Sequence, residues 1–147
     1  QRSSFLMEQR ITIITLGVQD MHVASDFYEN KLGWKRHGSS MGDIVFFQLN
    51  GIQLALYPVT ALAKDATVPP KVAGGFKGFT IAHNLRSEKE VDALITELKG
   101  KGVKIVKEPQ KAEWGGYSSY IEDSEGNLLE IAYNPYMTLD ARGNVAE

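Results

Sequence analysis

The sequence predicts an α+β fold built as two tandem βαβββ modules, and three observations carry that prediction. Each half of the chain contains a β-hairpin pattern, IVFFQL-Asn50-Gly51-IQLALY in the first and Tyr117 to Glu122 with Leu128 to Tyr133 in the second. Each hairpin follows a β-branched strand and a capped amphipathic helix. The halves also close alike, on NGIQLALYP and EGNLLEIAYNP, as an internal duplication would.

In the first module (11–58), Ile11 to Val18 is β-branched and apolar enough for a strand buried on both faces. Asp20 is an N-cap, and Ala24, Phe27, Tyr28 and Lys31/Leu32 fall at helical spacing before Gly33 stops the helix. A short strand is expected from Trp34 to His37, and the hairpin follows, turned by the strongest two-residue turn signal, Asn50-Gly51. The stretch 59–75 holds Pro69-Pro70 and Gly74-Gly75 and is predicted to be a linker with at most one helical turn.

The second module (76–135) opens with a strand from Phe76 to Asn84. Ser87 and Glu90 form a capping box, and Val91, Leu94, Ile95 and Leu98 recur along one helix face before Gly100 and Gly102. Val103 to Val106 is a short strand, and Tyr117 to Glu122 pairs with Leu128 to Tyr133 across Asp123-Ser124-Glu125-Gly126. Residues 1–10 and 136–147 are expected to be tails, with Met7 the natural start and 1–6 an upstream remnant.

Composition narrows the function. With 147 residues the chain can bury a core of its own. It has no Cys, which removes disulfides, thiolate metal sites and Cys nucleophiles and suits a reducing cytoplasm. Its net charge of −2, with no basic run, argues against nucleic-acid binding, and no apolar stretch is long enough for a membrane span. Ser118 and Ser119 lack a nucleophile elbow, and Gly115-Gly116 lacks the context of a phosphate loop. No Gly-x-Gly-x-x-Gly dinucleotide fingerprint follows a strand.

Ile11 to Asp20, followed by Phe27-Tyr28 and Leu32-Gly33, with Asp123-x-x-Gly126 before Leu129-Glu130, resembles the glyoxalase, bleomycin-resistance and extradiol dioxygenase superfamily, also called vicinal oxygen chelate proteins. The resemblance covers Ile11 to Pro135. It implies curved mixed sheets forming a cup, helices outside, small-molecule chemistry within and frequently a homodimer. It also implies four inward-facing metal-ligand positions, which fall here on Ile13, Leu54 (or its neighbour Ala55), Phe79 and Glu130. Only Glu130 can ligate, because Ile, Leu and Phe offer no donor.

No cofactor is therefore expected. A relocated divalent site would need both His83 and Glu130 in the cup, and no third donor is evident. His83 and Glu130 are the candidate catalytic residues, although His83 suits a satisfied strand histidine better than a catalyst. Taking hairpin registers from their turns, Phe47 lies opposite Leu54, and Tyr117 and Ser119 share the face of Glu130. With Phe79, Trp114 and the alternative Trp34, these would line an aromatic ligand pocket, or simply fill the cup as core.

A Glu130 without metal must be hydrogen-bonded, paired or protonated. Three functions follow: a metal-free protein binding a small aromatic molecule, a metal-dependent lyase, isomerase or dioxygenase with relocated ligands, and a non-catalytic interaction module.

Overall fold

A computed structural model describes residues 7–70 and 75–146. The expected remnant 1–6 and linker residues 71–74 lie outside them.

Strand β1 (Ile13–Val18) leads into helix α1 (Met21–Asp26), whose start is fixed by the Asp20 carboxylate accepting from Val23 N at 3.1 Å. The helix widens into a π turn over Phe27–Lys31, closed by Leu32 N donating to Phe27 O, and ends at Gly33 with φ 77°. Both Phe27 and Tyr28 are buried, and the wider turn lets these neighbours reach the core together.

The strand expected over Trp34–His37 is reduced to one bridge, Arg36 with Phe47. After His37 the backbone turns, Ser40 N donating to His37 O, so no ladder extends. Strands β2 (Val45–Gln48) and β3 (Gln53–Pro58) form the hairpin, with Phe47 opposite Leu54 as the turn predicts.

Helix α2 (Val59–Asp65) is longer than the single turn expected of the linker. Its VTALAKD run contains neither Gly nor Pro, and it buries Ala63. Strand β4 (Thr80–Leu85) starts later than expected because Gly75 and Gly78 have φ of 72° and 89°, outside the range of a strand.

Helix α3 (Glu88–Gly100) carries the expected cap, Ser87 Oγ accepting from Glu90 N at 3.1 Å. The Glu90 carboxylate reaches back to Arg86 N instead of to the cap residue itself. Strand β5 (Lys104–Lys111) runs beyond the expected Val106 through two register shifts. It lies at a sheet edge, which accommodates Pro109. Strands β6 (Tyr117–Glu122) and β7 (Leu128–Tyr133) match their predicted bounds.

The two sheets have orders β1-β3-β2 and β4-β7-β6-β5, and in each the first strand of the module runs parallel to the last. That shared pairing is the duplication in three dimensions, with the first module's counterpart of β5 reduced to the Arg36–Phe47 bridge. One core joins both helix-facing sides: Leu16, Leu56 and Phe47 with Tyr28, and Val91, Ile95 and Leu98 with Ile121 and Ile131. Each such side chain contributes about 1.5–3 kcal/mol of burial.

The modules are clasped at the β6–β7 turn. Asp123 accepts from Tyr28 Oη, Glu125 N and both nitrogens of Asn127, each at 2.8 Å. The Glu125 carboxylate accepts Gln19 N and Asp20 N, and Lys77 Nζ donates to Glu125 O and Asn127 Oδ1. Burial and the Asp123 carboxylate together push the Tyr28 phenol far above its ordinary value. No helix is long and apolar enough to cross a membrane among the described residues.

Candidate functional site

The site is defined by which side of its sheet Glu130 occupies. Directly paired residues in a ladder point the same way, and successive ones alternate. Glu130 pairs with Tyr120 on β6 and with Ala82 on β4, so its face also carries Ser118, Thr80 and Asn84. This side is turned away from the shared core. Tyr120 is half-buried, and burial, then the nearby Glu130 carboxylate, raise its phenol pKa, so at neutral pH it keeps its proton and can donate.

The expected neighbours of Glu130 lie elsewhere. Tyr117 and Ser119 pair with Tyr133 and Ile131 on the opposite face. The cause is the turn: Asp123 N donates to Asn127 O and Asp123 binds both Asn127 nitrogens, so the loop has five residues, 123–127, instead of four. One added residue shifts the register and exchanges faces. Ser119 is fully buried and its hydroxyl donates to Ile131 O at 2.8 Å. Tyr117 Oη donates to Asp92 of α3 at 2.6 Å, and that carboxylate raises its pKa to about 12.

His83 pairs with Ile131 and therefore points away from the Glu130 side, which separates the two candidate catalytic residues. It borders a cleft between the modules, and partial desolvation lowers its imidazole pKa. Phe47 and Leu54 do pair, but both are core, Phe47 stacking near Tyr28 and Trp34 with ring centroids 5.8 and 5.9 Å away. Phe79 precedes β4 and lines a depression of about 300 Å³ beside β1, with Lys77 and Asn127. Trp114, half exposed in the β5–β6 loop, lies against Gly116, where any Cβ would meet its ring.

The duplication also relocates the ligand positions. Ile13 pairs with Gln53 as Thr80 pairs with Leu128, and two residues further along come Ala55 and Glu130. The equivalent set is thus Ile13, Ala55, Thr80 and Glu130, so Leu54 and Phe79 each miss by one residue. A carboxylate and a threonine hydroxyl with two alkyl side chains do not fit a divalent ion. Among the described residues no group of three or more His, Cys, Asp or Glu could hold one.

On the first sheet the corresponding face carries Ile13, 43 % exposed, with Ala55 and the half-buried aromatics Phe46 and Tyr57. Tyr120, Phe46 and Tyr57 were not singled out by the sequence patterns, because that required the register set by Asn127 and a face assignment for β3.

Comparison with known proteins agrees with this architecture. Residues 10–131 match the model of the Glyoxalase/Bleomycin resistance protein/Dioxygenase superfamily, and the chain belongs to that superfamily. A glyoxalase-related enzyme from Fulvimarina pelagi is similar over 95 % of this chain and 99 % of its own, with 32 % identity and a TM-score of 0.83. A glyoxalase/bleomycin resistance protein/dioxygenase from Nocardioides, at 23 % identity and TM-score 0.78, covers 88 % of this chain and 86 % of its own. A lactoylglutathione lyase from Agrobacterium tumefaciens, at 24 % identity and TM-score 0.68, covers 87 % and 96 %, and shares the fold. Curated proteins give no match.

Proposed function

We propose that this superfamily member binds a small aromatic molecule against the Glu130 face without a resident metal, and that a second copy of the chain closes the face in a homodimer. The observation that carries the reading is the pairing of Glu130 with Tyr120 where the other three superfamily ligand positions are Ile13, Ala55 and Thr80. A carboxylate beside a neutral phenol recognises a ligand group that both donates and accepts a hydrogen bond. Glu130 can also take a proton from such a group while Tyr120 holds the developing negative charge. Phe46, Tyr57 and Tyr120 supply ring surface. Exposure of Ile13, Thr80 and Ala82 in a single chain favours a covering partner. A cysteine-free chain suits the cytoplasm.

The metal-dependent alternative loses its motivating pair, since His83 and Glu130 occupy opposite faces. The test combines metal analysis of protein purified without added metal with a thermal-shift screen of small aromatic acids, enols and amides. The expected result is less than stoichiometric metal and a ligand-induced rise in Tm that Glu130→Gln and Tyr120→Phe both reduce. One tightly held divalent ion per chain, or a rise indifferent to both substitutions, rejects the proposal.

A further inference from the structure

On the opposite side of the second sheet from Glu130, a cleft of about 1160 Å³ runs between the modules. Its floor is apolar, formed by Trp34, Phe47, Ile81 and Leu98. Ligand pockets commonly have this character, with apolar surface and a few convergent polar groups. Four cationic residues border it, Lys35, Arg36, Arg86 and Arg142, against the single carboxylate of Glu97.

These cations are not equivalent. Arg36 is paired with Glu29, and Arg86 donates to Asp140 O and Ala141 O. Among the described residues, Lys35 forms no ion pair, and Arg142 lies beside Asp140 in the tail. The tail itself forms one wall. Leu139 bridges to Val145, Asn50 Nδ2 donates to Arg142 O at 2.7 Å, and Arg86 holds Asp140 O at 2.8 Å. The wall is thus tied to the β2–β3 turn of one module and to the end of β4 of the other. This arrangement leaves open an apolar volume that side chains would otherwise fill.

We infer that this cleft is a second ligand site, distinct from the Glu130 face, for a small amphipathic anion: an aryl or alkyl group over Trp34 and Phe47, and a carboxylate-type head at Lys35 and Arg142. The apolar floor selects the body of the molecule, and the excess of cations at the rim selects its charge. Guanidinium and ammonium groups at an exposed rim attract an anion by charge-assisted contacts that added salt screens.

The test uses 4-phenylbutyrate and its neutral counterpart 4-phenylbutan-1-ol. The chain has two tryptophans, so Trp114→Phe leaves Trp34 as the sole indole reporter in the cleft. The expected result is a saturable change in Trp34 emission with the butyrate, weakened by added salt, and binding of the alcohol about fivefold weaker. Lys35→Glu with Arg142→Glu, both at exposed positions, should weaken the butyrate about fivefold and leave the alcohol unchanged. Leu94→Phe, which adds bulk within the cleft, should weaken both. Failure of either compound to bind, equal affinities for the two, or butyrate binding that is lost in Glu130→Gln and kept in the charge-reversal variant overturns the inference.

Discussion

Tyr28, on the π turn after α1, donates a 2.8 Å hydrogen bond to Asp123 in the β6–β7 turn, joining residues 95 positions apart. The phenol is 1 % exposed, and its carboxylate acceptor also binds three N–H groups of its own turn. The contact therefore ties the tip of one module's helix to the turn that sets the other module's register.

Tyr28→Phe should cost about 1–3 kcal/mol of stability at neutral pH, read as a lower denaturant midpoint. The raised phenol pKa supplies a second signature. Below the ordinary value of 10.0 both folded and unfolded chains keep this proton, and stability does not depend on it. Above 10.0 the unfolded chain releases it while the folded chain retains it, so stability falls as pH rises. The unaltered protein should therefore lose stability more steeply in alkali than the Phe variant. Equal slopes would show that the phenol does not titrate with folding.

Gly17 lies on β1 where an added Cβ would sit 3.0 Å from Val59 Cγ2 and 3.2 Å from Val59 Cα, at the start of α2. Gly17→Ala should therefore push α2 away from the sheet, at about 1–3 kcal/mol. Val59→Ala in the same chain removes only the Cγ2 contact and should recover part of the loss. A double-mutant cycle in denaturant measures this, and full additivity would mean that the two residues do not meet.

Glu130→Gln removes the charge that helps raise the Tyr120 phenol. The phenol should then titrate closer to 10.0, without reaching it because its burial remains. An ultraviolet titration, referenced to Tyr120→Phe, isolates this group among six tyrosines. An unchanged midpoint would show that the two side chains are not in contact.

Restoring donors tests the register directly. Ile13→His, Ala55→Glu and Thr80→His, combined with the native Glu130, should confer binding of a divalent ion, read by calorimetry with nickel or zinc. The triple variant at Ile13, Leu54 and Phe79 should bind none, because two of its positions lie off the Glu130 face. Metal binding by the second variant and not the first would contradict the strand registers of β3 and β4.

Much of the fold was legible because local signals and burial agreed. Asp20 and Ser87 cap their helices as their residue types indicate, and Asn50-Gly51 turns the first hairpin in the expected register. The superfamily was legible in Asp123-x-x-Gly126 and Phe27-Tyr28, both of which serve the module clasp. The site was less legible. The turn read over 123–126 leaves Asn127 outside it, yet two hydrogen bonds that Asn127 donates to Asp123 draw it in. That single residue exchanged Ser119 for its neighbour Tyr120 as the companion of Glu130. Phe47 and Leu54 were correctly paired, but which side of a β-strand meets a helix depends on contacts that no local pattern contains.

The clasp also bears on how the chain is made. Gln19 and Asp20 at the head of α1 wait for a carboxylate 106 and 105 positions downstream. During synthesis the first module therefore emerges with those backbone donors hydrated and Tyr28 without its acceptor. Closing so long a loop yields its contacts only after the last hairpin has formed. Ribosome-bound chains ending before Asp123 should thus hold the first module more loosely than the finished protein, making its last hairpin the step that locks the molecule.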